Sequence, residues 1–426
     1  MNTGSMSEKT ACDVAVIGGG AAGMMAALQA AWAGARVALL EKNEKLGKKI
    51  YITGKGRCNV TNVADIEDFF KQIPRNPRFL NAAARQFTHE DVTGLLDMLG
   101  TPTKVERGGR VFPESDKASD VTRALDRGMR DAGVVISLNT EVAHVKPAEH
   151  GFDIALTQGG VLRAGSVIVA TGGVSYPSTG STGDGYRFAK ENGLNVTKLG
   201  ASLVGMTVDE KWCMLLQGLS LKNVRVTAKA GKKTIYSELG EMLFTHFGVS
   251  GPLIIELSSH MPEDYSQVSV TLDMKPGLTD EQVDLRLQRD FAENNRKQIS
   301  SVLTGLMPAR MAPVFAKLCG VDTDTPISQV TREQRMAIGH ALKALPLHVV
   351  GTRPIEEAIV TRGGVDVLEI TPGTMMSKKV PGLFFAGEVL DVDAHTGGFN
   401  LQIAFSTGAL AGASAAAWAM DHQASC

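Results

Sequence analysis

The run Asp13-Val14-Ala15-Val16-Ile17 is apolar and of strand length. It is followed by a turn of small residues, a helix-like stretch over 24–32 and a second apolar strand over 36–40. Between 134 and 170 short apolar runs alternate with turns, at 134–138, 141–145, 152–156 and 166–170, and read as further strands. The period then becomes strictly two: Val224, Val226 and Ala228 alternate with Arg225, Thr227 and Lys229, and Val268, Val270 and Leu272 with Ser269, Thr271 and Asp273. That alternation predicts half-buried strands. From Asp280 the spacing lengthens. Val283, Leu287 and Phe291 form one helical stripe, Ile299, Val302, Leu303 and Leu306 a second, and Met311, Val314, Phe315 and Leu318 a third. A buried-strand run at 383–388 and a Gly/Ala-rich helix over 399–420 close the pattern.

This order predicts an α/β protein with a Rossmann-like domain formed by 10–200 and 354–420. A small β-barrel-like domain, 201–278 and 340–353, is expected as an insertion carrying a helical subdomain at 279–339. The 426 residues exceed the common single-core size. Residues 1–5, ahead of a second methionine at 6, are left out of the fold reading. Lys and Arg number 44 against 45 Asp and Glu, so no global field steers the chain toward nucleic acid, and nucleic acid is not expected as a partner. The five cysteines are scattered, with no C-x-x-C, which gives no disulfide framework or metal site and fits a reducing cytoplasm. No apolar run free of Gly or polar interruption suggests a membrane span, and the N-terminus lacks signal-peptide regions. The expected partner is a small-molecule substrate, without an obligate protein partner.

Glycine is over-used: 46 residues, about 11% of the chain against roughly 7% on average. Gly18, Gly20 and Gly23 fill a G-x-G-x-x-G pattern between the first strand and its helix. The first permits the turn, the second admits a pyrophosphate, and the third lets helix pack on strand. Ala22 lies in the same turn, whose helix N-terminus would face phosphate. Glu41 ends the second strand 23 positions after Gly18, where an acid binds a ribose 2′-hydroxyl and repels a 2′-phosphate. The site therefore suits the ADP half of FAD or NAD. A cation-rich stretch follows, including Lys42, Lys48 and Arg57 with glycines at 47, 54 and 56. It reads either as a solvated loop or as a wall whose amides and Arg57 hold a diphosphate or an anionic reduced flavin.

From these blocks the sequence resembles the BaiN/YhiN-like flavoproteins, bacterial FAD-binding oxidoreductases. The resemblance covers most of the chain and is carried by 13–23, 46–62, Gly109-Arg110-Val111-Phe112-Pro113, Ala170-Thr171-Gly172-Gly173, 240–252 and 381–402. It implies FAD as cofactor. Gly54, Cys58 and Asn59 join the cofactor wall by resemblance, as do Ala170, Thr171 and Gly172, which pass the ADP end. Val142 falls where similar proteins contact adenine through backbone atoms. Glu388, after Gly387, takes the place of the acid near the ribityl or phosphate region. Gly398, Phe399, Asn400 and Leu401 open the last helix, whose N-terminus would stabilise negative charge on reduced flavin.

His246 and His395, beside glycine-rich blocks, are candidates for acid, base or carbonyl polariser, and the alternative for each is a structural histidine. Cys58 is a candidate redox thiol, with packing as the alternative. The expected activity is hydride transfer through flavin N5 to or from a small organic substrate lying between cofactor domain and insertion. The resemblance implies names that span reduction of conjugated ketones and oxidation of amines. NADH or NADPH is a candidate electron donor, although no second G-x-G-x-x-G is evident for it. A flavin-based redox sensor or interaction protein with little turnover is the alternative from another class.

Overall fold

The computed structural model describes residues 11–423; residues 1–5 and Cys426 lie outside them. The chain divides into two compact units, one running to Ser202 and resuming at Ile355, the other Leu203–Pro354.

The first unit is built on a sheet whose central strand Ala11–Ile17 runs parallel to Val37–Leu40 on one side and to Val161–Val169 on the other. Val37–Leu40 pairs in turn with Val135–Ser137, also parallel. The long strand Val161–Val169 has two partners on its far edge. Gly151–Leu156 joins it antiparallel through Phe152–Ala155, and Leu383–Phe385 joins it parallel at Val167–Val169. The parallel strands are buried on both faces and therefore read as unbroken apolar runs rather than alternating ones. Val14, Val16, Leu39, Val167, Ile168 and Phe385 are all fully buried.

Two helices of small residues cover this sheet. Ala21–Trp32 crosses Phe399–Gln423 so closely that a Cβ on Gly408 would meet the Ala22 carbonyl oxygen at 2.4 Å, and one on Gly412 that of Ala26 at 2.3 Å. Only glycine permits this approach. By length and apolar composition Phe399–His422 could cross a membrane, although Asn, Gln, Ser, Thr and Gly interrupt it, and 72% of its most apolar window is buried within the protein. Its apolarity is used in packing.

The second unit centres on a seven-stranded antiparallel sheet. Its longest pair is the hairpin Ser220–Ala230 and Lys233–Thr245. Val268–Asp273 and Leu345–Leu347 extend the sheet on one side, and Gly248–Ser250, Met206–Val208 and Val349–Thr352 extend it on the other. The helices expected as a separate subdomain do not form one. Val283, Leu287 and Phe291 of Asp280–Glu293, Phe315 of Ala312–Leu318, and Ile338 and Leu342 of Arg332–Ala344 share a single core with Val226, Val270 and Leu272 of the sheet. The stripes specify helices; what they bury against is the inner face of the same sheet.

Candidate active site

The turn after the first strand is shaped by its glycines in three different ways. Gly18 has φ +103°, and a Cβ there would meet the Ala170 carbonyl oxygen at 2.6 Å. A Cβ on Gly23 would lie 1.8 Å from the Gly18 carbonyl oxygen, so the helix can pack on the strand only with glycine at this position. Gly20 differs from both: it N-caps the helix Ala21–Trp32 with φ −81°, and a Cβ there would meet nothing within 4 Å. Its open side faces a cleft that runs from this turn past Glu41 and Val142 at one part of its lining to Glu388, Asn400 and Leu401 at another. No side chain caps the helix and no acid sits in its first turn, leaving the positive end of the helix dipole to an anion in the cleft.

Glu41 is buried beside this turn. Its Oε2 accepts from Gly19 N at 2.7 Å, and its Oε1 accepts from Asn43 N at 2.8 Å and Asn43 Nδ2 at 2.6 Å. A carboxylate has about four acceptor sites. The one left open is held in the wall of the cleft, where a ribose hydroxyl would donate to it. Lys42 spans to Asp184 at 2.6 Å and Lys48 pairs with Glu44 at 3.1 Å. Thr171 lines the cleft too, with its Oγ1 buried against Gly185 and without a hydrogen-bond partner among the described residues.

Gly18, Gly20, Ala22, Glu41, Lys42, Lys48, Val142, Ala170, Thr171, Gly172, Glu388, Asn400 and Leu401 line this cleft together. The residues present fit FAD. The Gly18–Gly23 turn and helix start would hold the pyrophosphate, Glu41 the adenosine ribose, and the Asn400–Leu401 end a different part of the cofactor. Bound there, FAD would supply hydride chemistry at N5.

Other expected residues have different work. Arg57 is not in the cleft: its guanidinium pairs with Glu106 and with Asp116, at 2.6 Å for the latter, and stacks over Phe112 at 4.2 Å. Those carboxylates, 49 and 59 positions away, claim the charge that the sequence offered to a diphosphate. Gly54, with φ +56°, and Asn59 belong to the same turn, where a Cβ on Gly54 would meet Asn59 N at 2.9 Å. Cys58 is fully buried, and burial pushes its thiol up to about 12, so it is no redox thiolate. Gly387 and Gly398 serve close packing: a Cβ on the first would meet Ala22 Cβ at 2.7 Å and on the second the Thr61 carbonyl oxygen at 2.3 Å. Phe399 is buried against Phe69.

Glu388 reaches the cleft, but its oxygens are occupied by Lys49 Nζ at 2.6 and 2.9 Å, Ser175 Oγ at 2.9 Å and Thr361 N at 2.9 Å. Burial alone would raise its carboxyl; the charge and hydrogen bond of Lys49, with the Thr361 and Ser175 donors, bring it below the usual carboxylate value instead. Lys49 lines the cleft as well, and sequence reading missed it. Its partner lies 339 positions on, and nothing local separates it from the neighbouring lysines.

His395 sits in a loop tied down from several directions. Its N donates to the Gln72 carbonyl oxygen at 2.9 Å, and its Nδ1 lies 3.2 Å from Gln72 Oε1. Buried Asp393 receives Arg75 at 2.7 Å and Ser202 Oγ at 2.6 Å, while Asn400 bonds both ways with Ala394. The ring is nearly buried and does not line the cleft. His246 belongs to the second unit, exposed on the turn between Thr245 and Gly248 with its ring edge-on to Phe247.

A family model described as the HI0933-like protein Rossmann domain matches residues 12–414. The chain belongs to this family. It is an FAD-dependent oxidoreductase with a Rossmann-type cofactor domain. It is 32% identical over 95% of its length to a 3-dehydro-bile acid delta(4,6)-reductase of Clostridium scindens, covering 98% of that protein. It is also 33% identical over 93% of its length to a ribosomal RNA dihydrouridine synthase of Escherichia coli, covering 96% of it. Among solved structures it is similar in fold to a flavocytochrome c3 fumarate reductase, with TM-score 0.54 and 20% identity over 97% of this chain and 80% of that one. A 3-ketosteroid-delta4-(5alpha)-dehydrogenase from Rhodococcus jostii gives TM-score 0.52 and 14% identity over 97% and 98%.

Proposed function

We propose that this protein reduces a carbon–carbon double bond conjugated with a carbonyl group. The observation that carries the reading is near full-length similarity to two relatives whose named products differ in size but require the same bond change. A 3-dehydro steroid with a delta(4) double bond and a uracil ring each present a C=C bond joined to C=O. In either, hydride goes to the β-carbon and a proton to the α-carbon. NADH or NADPH as the source of electrons completes the reading, and a steroid-like enone is the first substrate class. The four described cysteines are free and buried, which is compatible with residence in a reducing cytoplasm.

The reading is tested in one anaerobic cuvette. The flavin bands of the purified protein should bleach with NADH or NADPH and return on addition of a 4-en-3-one steroid or of uridine-containing RNA. Bands that bleach and return with neither acceptor would remove the proposal and move attention to amines or to a redox sensor with little turnover. A second reading, the uracil ring within RNA, is favoured by the relatives named as ribosomal RNA dihydrouridine synthases, which return nucleic acid to consideration despite the neutral total charge.

A further inference from the structure

The hairpin Ser220–Ala230 and Lys233–Thr245 has an inner face of Val224, Val226, Ala228 and Tyr236, all buried. Strand alternation sends Arg225 and Lys229 to the other side, Lys222 is exposed at the register shift between Leu221 and Val224, and Lys232 and Lys233 extend from the turn. Among the described residues none of these five cations takes part in an ion pair. Elsewhere in the same unit Arg286 pairs with Asp290, Arg335 with Asp284 and Lys343 with Asp273.

The nearby acids do not neutralise the hairpin. Asp273 stands opposite Arg225 in register but holds Lys343 Nζ at 2.6 Å and Lys275 N at 2.8 Å. Glu238 pairs in register with inward-facing Val226, and Asp264 is bonded to Ser266. Glu241 lies at the end away from the turn. Lys229, Lys232 and Lys233 are therefore the least compensated group.

At about 3.3 Å per residue the positions from Lys222 to Lys229 extend over roughly 23 Å, far more than one anion can span. A nucleic acid strand carries a charge about every 3.4 Å of helix axis, so several phosphates fit along this stripe. Between the cations lie Thr227 and Ser237, whose hydroxyls are 3.0 Å apart. Hydroxyls of this kind suit sugar and phosphate oxygens. An anionic membrane would demand an apolar wedge beside the charges, and Leu239 is the hairpin's single large apolar residue that is exposed among the described residues.

We propose that the outer face of this hairpin docks the sugar–phosphate backbone of RNA. The assignment rests on the uracil reading of the function, and docking is measured separately from reduction. The flavin-loaded protein is titrated against a fluorescein-labelled RNA stem-loop with uridines in its loop, following anisotropy over a series of KCl concentrations. Combined Lys229→Gln, Lys232→Gln and Lys233→Gln should lower the slope of log affinity against log salt by about 2 and weaken binding about 10- to 100-fold near 0.1 M salt. The flavin spectrum and the thermal midpoint should not move. Arg296→Gln with Lys297→Gln, exposed cations elsewhere in the unit, should leave binding as it was.

If the wild type binds RNA and the triple variant binds it equally well, the hairpin assignment is wrong while the RNA reading survives. No RNA binding at low salt, with steroid enone still reduced, overturns both the docking and the uracil reading and leaves the reductase. Hairpin-dependent binding to phosphatidylserine-containing vesicles without RNA binding overturns the proposal in favour of a membrane surface.

Discussion

The cations that follow Glu41 and those of the inserted hairpin look alike as sequence, and the structure employs them in opposite ways. Around the cleft, Lys42 has Asp184, Lys48 has Glu44, Lys49 has Glu388, and Arg57 has Glu106 and Asp116. On the hairpin no such partner exists among the described residues. A cation closed on a carboxylate within its own chain is spent on the fold; one held on a stiff strand without a partner adds to the field outside. From this difference we propose the amides of the Gly18–Gly23 turn and the open helix start, rather than the lysines and Arg57 that first draw attention, as the anion-binding part of the cleft.

Substitutions break or sharpen this contrast, and the largest effect falls on the turn. Gly23→Val puts side-chain atoms into the space of the Gly18 carbonyl and should cost at least about 3 kcal/mol in urea unfolding and abolish flavin absorbance. A variant of normal stability and full flavin content would mean that the turn is free to open. Next is the pair across the cleft. Lys49→Ala leaves Glu388 facing the interior without its cation and should destabilise by about 2–3 kcal/mol, with added Glu388→Gln restoring most of the loss. Because the Glu388 carboxyl is lowered in the fold, the pair's stabilisation is complete above the unfolded value near 4.3 and is lost as pH falls through the folded value. Urea midpoints below pH 4.5 should therefore fall for the wild type and stay flatter for the Lys49→Met, Glu388→Gln protein.

Glu41→Ala comes third. It removes a charge-assisted hydrogen bond of about 1.5–3 kcal/mol and should weaken FAD at least tenfold by titration of the apoprotein. Unchanged affinity would place the ribose elsewhere. The smallest effect sharpens the contrast most: the triple lysine variant of the hairpin should unfold within about 0.5 kcal/mol of the wild type. A drop above roughly 1 kcal/mol would reveal that those lysines have partners in the fold after all.

What could be read from the sequence follows how local each feature is. The strand, turn and helix at 11–32, with Glu41 at the end of the next strand, form a unit whose chemistry lies within about 30 residues, and the structure assembles its members in one cleft. The stripes on 283–291 and 311–318 gave helices correctly, because period is local, but not their shared core with the sheet, because packing partners are distant. Arg57, Cys58 and His395 illustrate the same limit. The guanidinium of Arg57 is engaged by Glu106 and Asp116, Cys58 is fully buried, and the setting of His395 is fixed by Gln72, 323 positions earlier. Lys49 escaped notice for the converse reason, since only its distant carboxylate distinguishes it.

The crossing of Ala21–Trp32 with Phe399–Gln423 fixes a timetable for biosynthesis. All of Leu203–Pro354, with its own core, is translated before the helix that completes the cofactor unit. Until residues 399–412 have been made, the first helix has no Gly408 or Gly412 to receive its backbone, and the cleft lacks its Asn400 and Leu401 wall. Flavin capture is thus a late event in the life of each molecule. A chain interrupted at residue 390 would carry an inserted unit with a complete core and a cofactor unit without its last helix and without the Asn400 and Leu401 wall of the cleft.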